Sequence, residues 1–150
     1  MSVVVAVARE ASVELRDAIN RLLPQLSSTA KPLGDDDLAK IISSPNTTLF
    51  VATLDGAIVG TLTLVLFDIP SGCRAWIEDV IVDVEARRAG VGAALTRAAT
   101  DAARVLGART VDLTSRPSRT SANALYRKLG FVARDTNVYR FFLESKEPAK

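Results

Sequence analysis

From Val80 to Ala93 the chain reads Val-Ile-Val-Asp-Val-Glu-Ala-Arg-Arg-Ala-Gly-Val-Gly-Ala. An aliphatic, strand-like run enters a loop with two glycines, and the loop opens directly into a segment of helical periodicity. Gly90 and Gly92 let backbone amides approach a ligand with no side chain in the way. The first-turn amides of the helix, at the positive end of its dipole, form an anion site. Arg87 and Arg88 add two positive charges. A pyrophosphate fits that chemistry. A plain tight turn before a helix has the same glycine pair. The lysine of a nucleotide-triphosphate loop and the third glycine of a dinucleotide fingerprint are both missing, so neither of those readings fits.

Other chemistries are excluded by composition. The 150 residues contain no histidine and one cysteine, Cys73. That removes Ser-His-Asp and Cys-His nucleophilic catalysis and every His-containing metal site, so no metal is expected. An intrachain disulfide is impossible, and the cytoplasm is the default compartment. A net charge of +2 points neither to nucleic acid nor to an anionic membrane. The apolar start, residues 1–10, is too short to span a bilayer and lacks the basic beginning of a secretory signal. It reads as a first strand.

Those residues need a scaffold, and 48% hydrophobic content in this length suits one domain, residues 1–150. Residues 3–8 are rich in β-branched side chains and predict a strand. Residues 11–23 carry apolar side chains near helical spacing and stop at Pro24. A loop over 24–34 leads to Asp35, Asp36 and Asp37, which suit the start of a short helix ending near Ser43. Strand-like runs at 48–54 and 58–67 flank Asp55-Gly56, the dipeptide of a tight hairpin. A strand at 73–82, a loop at 83–90 and an amphipathic helix closed by Gly107 follow. A short strand at 110–114, a helix at 120–129 capped by Gly130, and strands at 131–134 and 138–143 complete the chain. Residues 145–150 read as a solvated tail. The order β-α-α-β-β-β-α-β-α-β-β predicts an α+β fold, with a mixed, mostly antiparallel sheet of about seven strands and about four helices.

Arg87-Arg88-Ala89-Gly90-Val91-Gly92 resembles the acetyl-CoA loop of the GNAT superfamily of N-acetyltransferases, Gln/Arg-x-x-Gly-x-Gly/Ala. Downstream, Ala124-Leu125-Tyr126-Arg127-Lys128-Leu129-Gly130-Phe131 resembles that family's Leu-Tyr-x-x-x-Gly-Phe segment. The two motifs stand in the family's order, and the element string matches its fold over nearly the whole chain. The resemblance implies transfer of an acetyl group from acetyl-CoA to a primary amine by direct attack in a ternary complex, and a small cationic amine is the expected acceptor. A protein or peptide amino group as acceptor, or a non-catalytic acyl-CoA sensor, are the alternatives. A nucleic-acid-binding domain would need a basic run that is missing. A homodimer is left open.

The resemblance also implies roles. The pantetheine arm would pair with the strand before the loop, at Val80, Ile81 and Val82. The pyrophosphate would meet Arg87 and the amides of Arg88, Ala89, Gly90, Val91, Gly92 and Ala93. Tyr126 matches the tyrosine near the thioester sulfur, where a phenol can protonate the departing thiolate. An amphipathic core tyrosine is its plain structural alternative. Glu78 is the candidate base for an amine that is mostly protonated at neutral pH. Glu78 and Val80, two apart, are expected to share a face of the strand. Asp79 is a substrate-side helper or a structural residue. Arg119 stands where many family members carry a cofactor-contacting asparagine. Trp76 is expected to pack over the sheet or to line the acceptor cleft, and helix capping accounts for Asp35, Asp36 and Asp37, with attraction of a cationic amine as the alternative.

Overall fold

The structure is a computed structural model and describes residues 2–144. Those residues divide into two compact units, one running to Arg116 and one starting at Pro117. The first holds the whole sheet. Strands β1 (Val3–Val7), β2 (Thr47–Leu54), β3 (Ala57–Ile69), β4 (Gly72–Val82) and β5 (Val111–Asp112) lie side by side in chain order. The first three pairings are antiparallel and the last, β4 with β5, is parallel. A parallel pair needs a crossover, and helix α3 (Val91–Val105) supplies it.

The hairpin between β2 and β3 turns on Asp55 and Gly56, at φ 53° and 84°, both in the left-handed region that such a turn demands. Alternation then sorts the side chains. Phe50, Ala52, Leu62, Leu64, Ala75 and Ile77 are buried on the face that meets Leu95, Ala99 and Ala103 of α3. Leu49 faces the other way. It forms a core with Leu15 and Ile19 of α1 (Val13–Leu26) and Leu38 of α2 (Asp35–Ser43). At Gly60 the contact with α3 is so close that a Cβ would stand 2.9 Å from Val91 Cγ1 and 3.1 Å from Leu95 Cδ1. The glycine lets the start of α3 settle directly on β3.

Helix α1 begins at Ser12, whose Oγ accepts the Leu15 amide at 3.1 Å. It does not stop at Pro24, as expected, but runs on to Leu26. The proline removes one intrahelical bond in the last turn, and the Ser27 amide still reaches the Leu23 carbonyl at 3.0 Å. The connection to α2 is clamped by Asn20, which donates to the Leu33 carbonyl at 3.0 Å and accepts the Leu33 amide at 2.6 Å. At α2 two of the three aspartates have structural partners. Asp37 accepts the Gly34 amide, and Asp35 pairs with Arg16 of α1 at 2.7 Å.

The second unit carries α4 (Thr120–Lys128) and an extended segment after it. The sheet therefore has five strands, not about seven. Residues 131–134 and 138–143 have strand-like composition but form no ladder, and Val132, Val138, Tyr139, Phe141 and Leu143 are exposed. Composition offers a strand; only a neighbouring backbone that takes its amides and carbonyls makes one. The expected strand at 110–114 shortens to Val111–Asp112 for the same reason. The tail at 145–150 lies outside the described residues.

Candidate functional site

Strand β4 is irregular at its centre. Thr63 pairs with Glu78 and Thr61 with Ile81, so Asp79 and Val80 together oppose the single residue Leu62. This is a β-bulge, and Asp79 sits in it at φ 50°. The extra residue resets the alternation. Thr61 and Thr63 share a face, so Glu78 and Ile81 share it too, and Val80 points to the opposite side. The expectation that Glu78 and Val80 share a face is thereby corrected.

Glu78 is exposed on the same face as Trp76, two residues back on the regular part of the strand. Trp76 Nε1 donates to Glu78 Oε2 at 2.7 Å. Trp76 is half-buried, and its polar edge is engaged in orienting a carboxylate, a role that a packing tryptophan does not suggest. The signal was present in sequence as a donor two positions from an acid on an alternating strand.

Strand β5 meets β4 only at Ala75 and Trp76. From Ile77 to Val82, β4 is laddered on its β3 side alone among the described residues. An open strand edge of this kind presents main-chain donors and acceptors. That edge runs into Asp83, a 3-10 turn at Val84–Ala86, and the residues leading to α3. Arg88 and Gly90 both take left-handed φ values, 77° and 80°. The second is what places Gly90 as the N-cap, and a side chain there would be strained.

The first bond of α3 runs from the Ala94 amide to the Gly90 carbonyl at 3.0 Å. The amides of Val91, Gly92 and Ala93 thus have no acceptor within the helix. The first turn of α3 contains no acidic residue of its own to offset its positive end. Of the amides expected to face a diphosphate, that of Ala89 donates to the Ala86 carbonyl at 3.2 Å and serves the turn itself. Arg87 and Arg88 are exposed beside it. These features fit an extended, diphosphate-bearing ligand: an open strand edge for an amide-rich arm, then a cationic, amide-lined helix start.

Tyr126 belongs to the second unit. Its ring stands edge-on to Phe131, with centroids 5.7 Å apart and planes at 62°. Burial pushes its phenol above the ordinary range, against a smaller opposing influence from the Arg119 charge. It therefore keeps its proton at neutral pH. Arg119 forms the N-cap of α4, and its carbonyl accepts the Asn123 side-chain amide at 2.8 Å. Cys73 lies across from Asp68, and burial together with that carboxylate raises its thiol. Among the described residues no group of acidic or cysteine side chains is arranged to hold a metal ion, and no helix is long and apolar enough to cross a membrane.

The model of the "Acetyltransferase (GNAT) family" matches residues 14–131. The chain belongs to the GNAT acetyltransferase family. Solved members are similar along nearly all of this GNAT chain. An acetyltransferase from Trypanosoma brucei is 28% identical, with a TM-score of 0.78, over 94% of this chain and 100% of that one. An aminoglycoside acetyltransferase from an uncultured soil metagenomic sample, in complex with sisomicin, is 21% identical with a TM-score of 0.83, over 95% and 97% of the two chains. A glucosamine-6-phosphate N-acetyltransferase from Arabidopsis thaliana is 21% identical with a TM-score of 0.80, over 95% and 99%. At these identities the last two show the fold alone. No curated protein matches the sequence.

Proposed function

We propose that this GNAT acetyltransferase moves an acetyl group from acetyl-CoA to the primary amine of a small cationic acceptor, by direct attack in a ternary complex. The open edge of β4 leading into the unbonded amides of Val91, Gly92 and Ala93 carries this reading. The family match extends from 14 to 131 and so across both units, which supports one transferase domain.

Val80, Ile81 and Val82 offer main-chain groups along the open edge to the pantetheine arm. The α3 amides hold the diphosphate, and Arg87 and Arg88 add positive charge. Glu78 takes a proton from the amine, the Val80 amide donates to the thioester oxygen, and Tyr126 gives its proton to the departing sulfur. The C–N bond forms as the C–S bond breaks. The second proton of the attacking nitrogen passes through solvent to the Tyr126 oxygen and Glu78 releases its proton to solvent, so both groups return to their starting states. Cys73 carries no acyl group, because its raised thiol is a poor nucleophile at neutral pH.

The adjacent carboxylates Glu78 and Asp79, both exposed, favour a cationic acceptor. The aminoglycoside and glucosamine-6-phosphate enzymes, which share the fold, are named for small amine-bearing acceptors. Thiol release from acetyl-CoA across a panel of polyamines, amino sugars, amino acids and peptides tests the proposal. Turnover on a small amine that collapses in Glu78→Gln and falls in Tyr126→Phe supports it. Tight acetyl-CoA binding without turnover on any amine points instead to a sensor, and turnover on peptides alone overturns the acceptor class.

A further inference from the structure

Helix α1 grips the chain at the point where β4 leaves the sheet. Arg21 reaches two targets at once: Nη1 donates to Asp83 Oδ2 at 2.7 Å, and Nη2 donates to the Ile58 carbonyl at 2.8 Å. Gln25, one turn further along the same helix face, accepts the Val84 amide through Oε1 at 3.0 Å. Asp83 passes the restraint onward. Its Oδ1 accepts the Glu85 amide at 3.1 Å, while its own amide donates to the Val59 carbonyl at 2.8 Å. Three consecutive amides, those of Asp83, Val84 and Glu85, are thereby fixed, two of them through side chains that α1 supplies or holds.

Docking α1 on the sheet does not require this. Leu15, Ala18, Ile19 and Leu22 already bury the helix. The Asp83 side chain is only 13% exposed against 51% for Arg21, so the charge-assisted bond sits where water screens it less than at an open surface. Its strength is directed at the segment immediately before the 87–90 turn. An anion site made of backbone amides cannot adapt by rotating side chains, so its affinity depends on the direction in which the chain enters the helix.

We infer that Arg21 and Gln25 are positioning residues of the acyl-donor site, setting the aim of the α3 amides from outside the loop. The inference rests on the proposed acetyl-CoA reading and adds to it a remote determinant of donor affinity. The test uses Arg21→Met, Gln25→Leu and the conservative Arg21→Lys in the full chain. Acetyl-CoA affinity is measured by calorimetry without acceptor, kcat and KM by thiol release, and amide exchange over 84–93 in the free protein.

Arg21→Met, which loses two hydrogen bonds, and Gln25→Leu, which loses one, are each expected to raise the Kd and KM for acetyl-CoA about three- to tenfold, with kcat within about twofold. Exchange over 84–93 is expected to quicken, and Arg21→Lys to recover part of the affinity. Faster exchange with unchanged Kd overturns the positioning role while leaving the acetyl-CoA reading intact. A fall in kcat with Kd unchanged overturns it as well. Wild-type protein that takes up no acetyl-CoA overturns both the reading and the inference built on it.

Discussion

The indole of Trp76 and the carboxylate of Glu78 are joined by a 2.7 Å hydrogen bond from Nε1 to Oε2 along one face of β4. The pair lies just before the bulge at Asp79, on the regular part of the strand, where residues two apart stand side by side. A free glutamate side chain samples many rotamers. The indole donor selects those that hold the carboxylate over the strand and leaves its other oxygen available to a substrate proton.

Replacing Trp76 with Phe keeps a ring and removes the donor. Bonds to charged groups contribute about 1.5–3 kcal/mol when shielded, and this one is exposed, so a loss in kcat of about three- to tenfold is expected. The donor KM is expected to hold. Steady-state kinetics at saturating acetyl-CoA check this; an unchanged kcat in Trp76→Phe beside an inactive Glu78→Gln would show that the indole does not orient the base.

Gly60 is where α3 rests on β3, and a methyl group there would meet Val91 Cγ1 at 2.9 Å and the Ile81 carbonyl at 3.0 Å. Gly60→Ala is expected to destabilise the fold by about 1–3 kcal/mol, the usual cost of overpacking. Tm should fall by about 2–4 °C per kcal/mol in a domain of this size. Because Val91 opens the helix, donor affinity should fall as well. Thermal unfolding together with calorimetry reads both effects.

Asp83 gives a pH signature. The Glu85 amide, then the Arg21 guanidinium, hold its carboxyl below the ordinary carboxylate range. A lowered folded value means that its stabilisation is complete above the unfolded value of about 3.9 and is lost as pH falls through the folded value. The stability gap between wild type and Asp83→Asn is therefore expected to be constant from pH 7 to about 5 and to close in more acidic solution. Urea unfolding across that series measures it, and a gap that widens with acid would contradict the assignment.

Burial raises the Tyr126 phenol. As a proton donor it should remain competent through pH 9, so any alkaline limb in kcat that belongs to it is expected above the ordinary phenol value of about 10. Tyr126→Phe should remove that limb and lower kcat about tenfold or more. A pH–rate profile of both proteins decides this. A wild-type limb near neutrality that persists in Tyr126→Phe would assign it to another group.

Some of this was readable from residue order. Asp55-Gly56 announces its hairpin because left-handed φ values are cheap there, and Gly90 marks the start of α3 for the same backbone reason. The bulge was not readable. Residues 77–82, Ile-Glu-Asp-Val-Ile-Val, break strict alternation, but nothing in Asp79 itself demands φ 50°, and the place of the extra residue shows only in the β3 register. The Trp76–Glu78 bond was missed because a tryptophan on a strand is ordinarily counted as core. Residues 131–134 and 138–143 have the composition of strands, but pairing is a property of two segments, and no ladder forms there. Arg21 and Asp83 stand 62 positions apart, beyond any local pattern.

The doubled step at Asp79 and Val80 feeds one extra residue into β4 while Glu78 and Ile81 both keep the face that Thr63 and Thr61 share. Deleting one of the two would restore unbroken pleating and leave Ile81, now 4% exposed, on its present side. What would go is one main-chain unit of the open edge, together with the kink that a bulge supplies. A single missing codon at this spot should thus weaken donor binding while every downstream side chain stays on its own face.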